Sequence, residues 1–271
     1  MFKTIDSETS HGECPYCKSD AFRFKEGDRW MFLCHSCQRY MPFEKTGIKD
    51  ELTTQTISNY DALMSLLVRV DTLPLTHRFR KYTESRRIPA DRVYYTEQFD
   101  RISEYAGTPV KDKERLILPF FKEDGSLFGI QGRSLEKDTI RYITLMFDKD
   151  HPKLFGLEQI NDQDTITIVE GPIDSLFVKN SLAMAGSDAD LNKYKTSAII
   201  ALDNEPRNKQ IVSKMAKFLD NGFKVVIWPE TIKEKDVNDM IVNGIEPNAI
   251  IQNNVYSGLA GKIKLGTWKK V

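Results

Sequence analysis

The chain has 271 residues, of which 40% are hydrophobic and 29% are charged, and its 39 Lys and Arg residues balance its 39 Asp and Glu residues. These proportions are those of a folded globular protein and exclude a disordered or fibrous chain. A formal net charge of zero excludes bulk attraction to polyanions, so any nucleic-acid binding must come from local basic patches.

The length and the hydrophobic pattern predict a cytoplasmic protein of about two domains, since one domain takes roughly 150 residues. The longest aliphatic run covers residues 198–202 and is far shorter than the roughly 18 residues that suggest a membrane span. Residues 1–15 contain no apolar signal-peptide core. We therefore expect no membrane partner.

The cysteines form two Cys-x2-Cys pairs separated by sixteen residues, and these four are Cys14, Cys17, Cys34 and Cys37. This is the spacing of a four-thiolate zinc site. A disulfide is the alternative, although disulfides are rare in the cytosol, and His11 or His35 could replace one thiolate. A shell closed by four ligands leaves no position for substrate, so this zinc is predicted to be structural.

An alternating pattern between the two pairs predicts two short strands with an aromatic face. The aromatic residues are Phe22, Phe24, Trp30 and Phe32, and the residues that alternate with them are Arg23, Lys25, Arg29 and Met31. Such a face could stack unpaired bases, or its rings could be the core of a small domain. The sequence leaves both interpretations open.

A polar linker and a basic segment follow the cysteine-rich region. Residues 44–55 are polar, and Leu63, Leu66, Leu67 and Val70 have a helical spacing. Residues 76–92 then contain six Lys and Arg residues against two acidic ones. These cations either form a solvated helix face or contact template phosphates.

Two strands are predicted at residues 115–121 and 126–133, joined by a hairpin whose turn contains the Asp124-Gly125 step. Arg133 ends the second strand directly after Gly132. A glycine at that position would let a ligand backbone come close, and the arginine fork matches a phosphate. A surface arginine is the alternative, and residues 141–144 add a third strand.

The following segment alternates strands with helices, which predicts a parallel sheet with right-handed crossovers. Strands are expected at residues 165–170, 182–185, 198–203 and 224–228, with helices after residue 175 and before Gly222. Ligands of such sheets bind beyond the carboxyl ends of the strands, where Glu170, Asp203 and Glu205 fall. Clustered carboxylates at an open edge suit Mg²⁺, which takes oxygen ligands and bridges to substrate phosphates.

Two further acids, Asp236 and Asp239, have two possible roles. They could add to the acidic field, or Asp236 could cap the helix that follows it.

Several motifs together resemble one known family. They are the Val-Glu-Gly-Pro-Ile-Asp run at residues 169–174, the acidic pair at residues 203–205, residues 235–241 and the Gln-Gly-Arg at residues 131–133. Together these stretches resemble the DNA primases of T-even bacteriophages. The spacing of the acids resembles the Toprim fold that primases, topoisomerases and some nucleases share. The family's usual Asp-x-Asp pair is replaced here by Asp203-Asn-Glu205.

The resemblance implies a role for each matching residue. Glu170, Asp203 and Glu205 match the family's catalytic metal-binding acids, and Asp174, Asp236 and Asp239 are expected beside the metal. Arg115 and Arg133 match catalytic basic positions that face nucleotide or template. The implied cofactors are structural Zn²⁺ and catalytic Mg²⁺ or Mn²⁺.

The expected fold is α/β, with a zinc ribbon followed by a primase core that contains a Toprim parallel sheet. The predicted segments are a zinc ribbon at 1–50, a linker and helix at 51–74, a basic subdomain at 75–160, the Toprim subdomain at 161–245 and a helical tail at 246–271.

The expected activity is synthesis of short RNA primers on single-stranded DNA during phage replication. The implied partners are the DNA template, ribonucleoside triphosphates, a hexameric replicative helicase and a single-strand DNA-binding protein, all in the host cytoplasm. A fused ATP-driven helicase is excluded, because residues 258–263 only approximate a phosphate-binding loop and end in Ile. A Toprim nuclease and a noncatalytic zinc-ribbon DNA-binding adaptor are the alternatives.

Overall fold

A computed structural model describes residues 63–271, apart from residues 138, 149–150 and 187–189, together with five strands in the first 42 residues. The chain divides into two compact units, Met1–Gln55 and Thr56–Val271. In the described part of the chain, no helix is both long enough and apolar enough to cross a membrane.

The first unit contains one antiparallel sheet whose strands follow each other in chain order. Its strands are β1 (Lys3–Thr4), β2 (Thr9–Glu13), β3 (Asp20–Glu26), β4 (Arg29–Cys34) and β5 (Tyr40–Pro42). The two strands predicted between the cysteine pairs are therefore present as β3 and β4. Their register sets Phe22 opposite Leu33 and Trp30 opposite Lys25, so the aromatic residues of the predicted face are not paired with one another.

The second unit begins with a five-stranded antiparallel sheet in the order β10-β9-β8-β7-β6. Its strands are β6 (Val68–Arg69), β7 (Tyr94–Thr96), β8 (Arg115–Phe121), β9 (Leu127–Arg133) and β10 (Tyr142–Met146). Two helices accompany them, α1 (Arg78–Ser85) and α2 (Phe99–Tyr105). The predicted hairpin between β8 and β9 is confirmed, and Gly125 supplies its positive φ of 81°.

The helical pattern predicted over residues 63–70 is wrong in its second half. Residues 68–69 form β6, which pairs with β7, and Val70–Thr72 form a 3-10 turn. The apolar residues of this segment are close in sequence but pack in different hydrophobic clusters. Leu63 packs in a cluster with Phe99, and Val70 packs in the main core.

A six-stranded mixed sheet in the order β11-β13-β12-β14-β15-β16 forms the rest of the unit. Its strands are β11 (Leu154–Phe155), β12 (Ile166–Val169), β13 (Ser181–Met184), β14 (Ala198–Ala201), β15 (Lys224–Val226) and β16 (Val255–Tyr256). The four central strands are parallel, as predicted, whereas the edge strands β11 and β16 run antiparallel to their neighbours.

The helices of this sheet are α3 (Pro172–Ser175), α4 (Lys209–Asp220), α5 (Val237–Val242), α6 (Pro247–Asn253) and α7 (Gly258–Trp268). Helix α4 begins at its cap Asn208 and ends before Gly222, whose φ is 83°, as the sequence predicted. The helix predicted at residues 175–179 is wrong in position: Pro172 starts a short helix that ends at Ser175, and residues 176–179 form turns. Residues 246–271 do not form a separate helical tail, since they supply β16 to the sheet.

The core consists of strands that are covered on both faces. All four residues of β12 and of β14 are buried, which explains their continuous apolar runs. In β8 the residues alternate between clusters: Leu116 and Leu118 belong to the main core, and Ile117 packs with α2. Both sheets thereby share one hydrophobic core within the second unit.

Candidate active site

The carboxyl ends of β12 and β14 form the point at which the order of the parallel sheet reverses. The chain passes from β12 to β13 on one side, and β14 lies on the other side of β12. Ligands of open α/β sheets bind in the crevice at such a switch point. Glu170 follows β12 directly, and Asp203 follows β14 after one further residue.

Lysines hold the acidic residues of this edge in place. Glu170 Oε1 lies 2.9 Å from Lys214 Nζ, and its Oε2 accepts a 3.4 Å hydrogen bond from the Asp203 backbone N–H. Lys235 Nζ lies 3.7 Å from Asp203 Oδ2 and 3.6 Å from Glu205 Oε1. The structure therefore brings the three predicted acids together, with two ammonium groups offsetting part of their mutual repulsion.

The electrostatics of the edge favour the protonated forms of Asp203 and Asp174. Burial, with Glu170 as the next contribution, raises the pKa of Asp203 to about 7, although Lys235 opposes the change. Burial and then the charges of Asp236 and Asp203 raise the pKa of Asp174 well above its usual range. Each ionised acid thus makes ionisation of its neighbour more costly.

The donor set at this edge fits a hard divalent cation. Carboxylate oxygens are the ligands that Mg²⁺ prefers, and a cation beside Glu170 and Asp203 would relieve the repulsion that raises the pKa of Asp203. Among the described residues, no three His, Cys, Asp or Glu side chains are grouped closely enough to hold a metal ion by themselves. Mg²⁺ tolerates such a site, since it keeps several waters and shares phosphate oxygens with its substrates.

A basic wall faces the acids across a cleft of ≈ 650 Å³. The wall is formed by residues from the antiparallel sheet and its helix: Tyr82, Arg86, Gln131, Arg133, Arg141 and Tyr142. Anionic and cationic walls facing each other suit a phosphate that carries a divalent cation.

Arg133 lies at the centre of this wall. Its guanidinium lies 4.9 Å from the ring centres of both Tyr82 and Tyr142, and it donates a hydrogen bond to the Tyr142 hydroxyl. Burial lowers its pKa, and the neighbouring cations Arg141 and Arg86 act in the same direction. Arg133 Nε is buried and has no hydrogen-bond partner. An unused donor on a cation crowded by other cations favours an anionic ligand.

Asp236 and Asp239 lie beside the cleft but have partners in the fold. Asp236 caps α5 by accepting a 2.7 Å hydrogen bond from the Asp239 backbone N–H, so the capping interpretation is the one the geometry supports. Asp239 Oδ1 lies 2.8 Å from Arg86 Nη2. Arg86 also exchanges hydrogen bonds of 2.6 and 2.8 Å with the buried side chain of Asn238. The Asn238 backbone N–H in turn donates to Asp174 Oδ1 at 2.9 Å.

Arg115 lies outside the cleft, in contrast to the expectation from the resemblance. Its side chain is 1% exposed, and its guanidinium donates to Asp112 Oδ2 at 2.6 Å, to the Gly132 carbonyl at 2.7 Å and to the Ile140 carbonyl at 2.8 Å. Gly132 likewise faces the fold and not a ligand, because a Cβ there would lie 2.5 Å from the Phe99 ring. We therefore assign Arg115 a structural role.

The comparisons with known proteins agree with this geometry. No protein-family model matches the chain. The DNA primase of Enterobacteria phage T4 is 36% identical over an alignment of 219 residues, and the match covers 75% of this chain and 64% of the phage protein. The chain is therefore similar to this phage primase over three quarters of its own length. It spans just under two thirds of the length of that relative.

Solved primase structures show the same fold. The RNA polymerase domain of the Mycobacterium tuberculosis primase DnaG covers 72% of the chain with a TM-score of 0.55 and 16% identity, and the match spans 80% of that domain. A primase domain from Pseudomonas aeruginosa covers 77% with a TM-score of 0.54 and 16% identity, and the match spans 87% of that domain. The fold is therefore that of a primase catalytic core, and the resemblance inferred from the motifs is confirmed.

The predicted zinc ligands cannot be placed in the same way. Cys14, Cys17 and Cys37 lie outside the described residues, and only the backbone of Cys34 is described, at the end of β4. The zinc site stays a prediction from spacing.

Several cleft residues did not stand out in the sequence. Tyr82 and Arg141 belong to no catalytic motif that we recognised, Lys235 was only the first residue of the motif at residues 235–241, and Arg86 was only one of the cations in the basic segment. Lys214, which does not line the cleft but pairs with Glu170, was also missed. The spacing of Lys214 from Asn208 offered a weak signal, since it places the lysine in the second turn of a helix that starts at the acidic edge.

Proposed function

We propose that this protein is a DNA primase that synthesises short RNA primers on a single-stranded DNA template during phage DNA replication. One observation carries the proposal. Glu170 and Asp203 lie at the switch point of the parallel sheet and face Arg133 across a single cleft. This arrangement supplies both the carboxylates and the cations that phosphoryl transfer between nucleotides requires.

Separate groups of residues would bind the phosphates and the divalent cation. Arg133, with Arg86 and Arg141 beside it, would hold phosphate oxygens and orient the incoming ribonucleotide. Glu170 and Asp203, with Glu205 two residues further along the chain, would hold Mg²⁺ or Mn²⁺. When bound, that cation would neutralise the negative charge that develops on the transferred phosphate.

The lysines have a separate role in this scheme. Lys214 and Lys235 keep the carboxylates extended at the edge when no cation is present. Both are more than a third exposed, so they can swing away when a cation arrives.

The N-terminal unit would hold the template. We propose that Cys14, Cys17, Cys34 and Cys37 bind structural Zn²⁺ and fold a zinc ribbon whose strands position single-stranded DNA. A solved structure of a DnaG primase catalytic domain is described as bound to single-stranded DNA, and it has a TM-score of 0.50, 15% identity and 68% coverage of this chain. We place the mixed sheet in the Toprim class, because its acidic edge matches the motif spacing of that fold.

The remaining partners follow from the proposed role. Primer synthesis at a replication fork takes place with a hexameric helicase and a single-strand DNA-binding protein, and we propose that both act in trans with this chain in the host cytoplasm. Ribonucleoside triphosphates are the substrates.

Incorporation of labelled ribonucleotides on a single-stranded template tests the proposal. The full chain should make short labelled products, and Glu170→Gln should reduce the rate by roughly a hundredfold because it removes charge from the edge without changing the shape of the side chain. Glu104→Gln, on the exposed side of α2, is the matched control and should behave as the wild type. A nuclease would instead shorten a labelled template, and a DNA-binding adaptor would do neither.

A further inference from the structure

A second cleft lies one strand further along the same sheet edge. It has a volume of ≈ 520 Å³ and lies between the segments that follow β14 and β15. Its lining includes three cations that the proposed chemistry does not use, Arg207, Lys233 and Lys270, beside the rings of Pro206 and Trp268. Glu205 and Glu230 also line the cleft, so four cations stand against two carboxylates, and the excess of positive charge beside an apolar wall fits a ligand that is both anionic and partly apolar.

A rigid turn separates this second cleft from the first. The Asn204 backbone N–H donates to the Lys235 carbonyl at 2.6 Å, and its side-chain Nδ2 donates to the carbonyls of Ile232 and Glu234 at 3.1 and 3.0 Å. Lys235 lines both clefts, with its Nζ between Asp203 and Glu205. The two clefts therefore meet at Lys235, with Asp203 in the lining of the first cleft and Glu205 in the lining of the second.

Two cations of the second cleft carry a positive charge that no carboxylate neutralises among the described residues. Within the described part of the chain, no carboxylate forms an ion pair with Arg207 or Lys270, whereas Glu205 is satisfied by Lys235 and by Asn208 Nδ2 at 3.2 Å. Lys270 is held at the cleft because its backbone N–H donates to the Pro206 carbonyl at 2.8 Å. Two exposed cations that line one cleft and lack an ion-pair partner among the described residues attract a multiply charged anion.

We propose that the second cleft binds the 5′-triphosphate of the ribonucleotide that starts the primer. This inference rests on the proposed primase function. Joining the first two nucleotides requires two triphosphates at one acidic edge. The 3′ oxygen of the first nucleotide forms a bond to the α-phosphorus of the second, the bond from that phosphorus to the β-bridging oxygen breaks, pyrophosphate leaves, and the 3′-hydroxyl proton passes to solvent. The first nucleotide keeps its own triphosphate, which needs a cationic site apart from Arg133.

The test compares initiation with extension in the full chain. The variant is Arg207→Gln combined with Lys270→Gln, and the control is Lys217→Gln, an exposed cation on α4 outside both clefts. On a template whose first two bases differ, the KM for the starting nucleotide should rise about tenfold, the effect expected when roughly 1.4 kcal/mol of binding is lost. The KM for the second nucleotide and the extension of a supplied primer with a 5′-hydroxyl should change less than twofold.

A starter series and a binding measurement complete the design. The wild type should prefer a triphosphate starter over the same nucleoside without phosphates, and the double variant should lose that preference. Calorimetric titration with ATP and Mg²⁺ should give two sites per chain in the wild type and one in the double variant.

Three results would overturn the inference: equal loss of initiation and extension, an unchanged KM for the starting nucleotide, or a single ATP site in the wild type. A wild type that binds two ATP molecules but incorporates no label would reject the proposed function and the starter role with it, and would leave the second cleft as a triphosphate site only.

Discussion

Replacing Asp203 with Asn should stabilise the protein at neutral pH in the absence of divalent cations, although it removes a carboxylate that we propose for the metal site. Burial and Glu170 raise the pKa of Asp203 to about 7, from the usual 3.8. The native state thus binds the Asp203 proton more tightly than the unfolded state does. Below pH 4 both states are protonated and the residue has no effect, and the free energy of unfolding then falls as the pH rises from about 4 to 7.

The magnitude follows from the size of that change in pKa. A rise of about 3 units at 1.36 kcal/mol each gives an upper bound of about 4 kcal/mol. The side chain is 20% exposed and Lys235 lies nearby, so we expect on the order of 2 to 3 kcal/mol at pH 8. For a unit of this size that corresponds to a Tm increase of roughly 5 to 10 °C.

Thermal unfolding of wild type and Asp203→Asn between pH 4 and pH 8 in EDTA measures this effect. The difference in Tm should be near zero at pH 4, grow towards pH 8 and shrink when Mg²⁺ is added, because the cation offsets the same repulsion in the wild type. Asp162→Asn, which changes an exposed carboxylate outside the cleft, is the control and should show no such dependence. A variant that is less stable than the wild type at pH 8, or a difference that does not vary with pH, would refute the electrostatic reasoning.

Three further changes test other parts of the structure. Arg133→Lys keeps the charge but loses the planar fork, so kcat/KM for ribonucleotides should fall roughly tenfold or more with template saturating, and an unchanged value would return Arg133 to an ordinary surface role. Arg115→Met should lower the free energy of unfolding in urea by about 3 kcal/mol, because it leaves the half-buried Asp112 carboxylate and the carbonyls of Gly132 and Ile140 without their donor; a neutral result would contradict the structural role. Deleting residues 1–50 should leave a cooperatively melting protein that no longer initiates at template sites, and replacing Cys34 and Cys37 with Ser should cause the same loss. If the truncated chain starts primers at the same sites and rate, the first unit is not the template reader.

The acidic edge could be predicted from the sequence because its geometry depends on local rules. Carboxyl ends of parallel strands meet at one edge, so Glu170 and Asp203 had to lie near each other once the strands were recognised. Gly125 and Gly222 end their elements at positive φ for equally local reasons. Such features require only strand periodicity and the backbone preferences of single residues.

The role of the Arg115 side chain depends instead on tertiary contacts, which the hydrophobic periodicity of the sequence does not reveal. Both Arg115 and Arg133 stand at ends of paired strands and were predicted to bind phosphate. Only the tertiary structure shows that Asp112 and two carbonyls take up the guanidinium of Arg115, whereas Arg133 points into the cleft with a free Nε. The pairing of Arg86 with Asn238 spans 152 positions in the sequence and was equally hidden.

That long-range pairing has a consequence for how the cleft works. Arg86 belongs to the segment that follows α1, on the cationic side, and Asn238 lies in α5, on the acidic side, where its backbone also holds Asp174. Hydrogen bonds in both directions between Arg86 and a fully buried amide fix the distance between the two walls. A phosphate bound by Arg133 therefore meets the carboxylates at a separation set before any ligand arrives. Preorganisation of this kind lowers the barrier, because the charges need not be reoriented during the reaction. The crowded carboxylates of the acidic edge destabilise the fold, and the same fold keeps the two walls at a fixed separation.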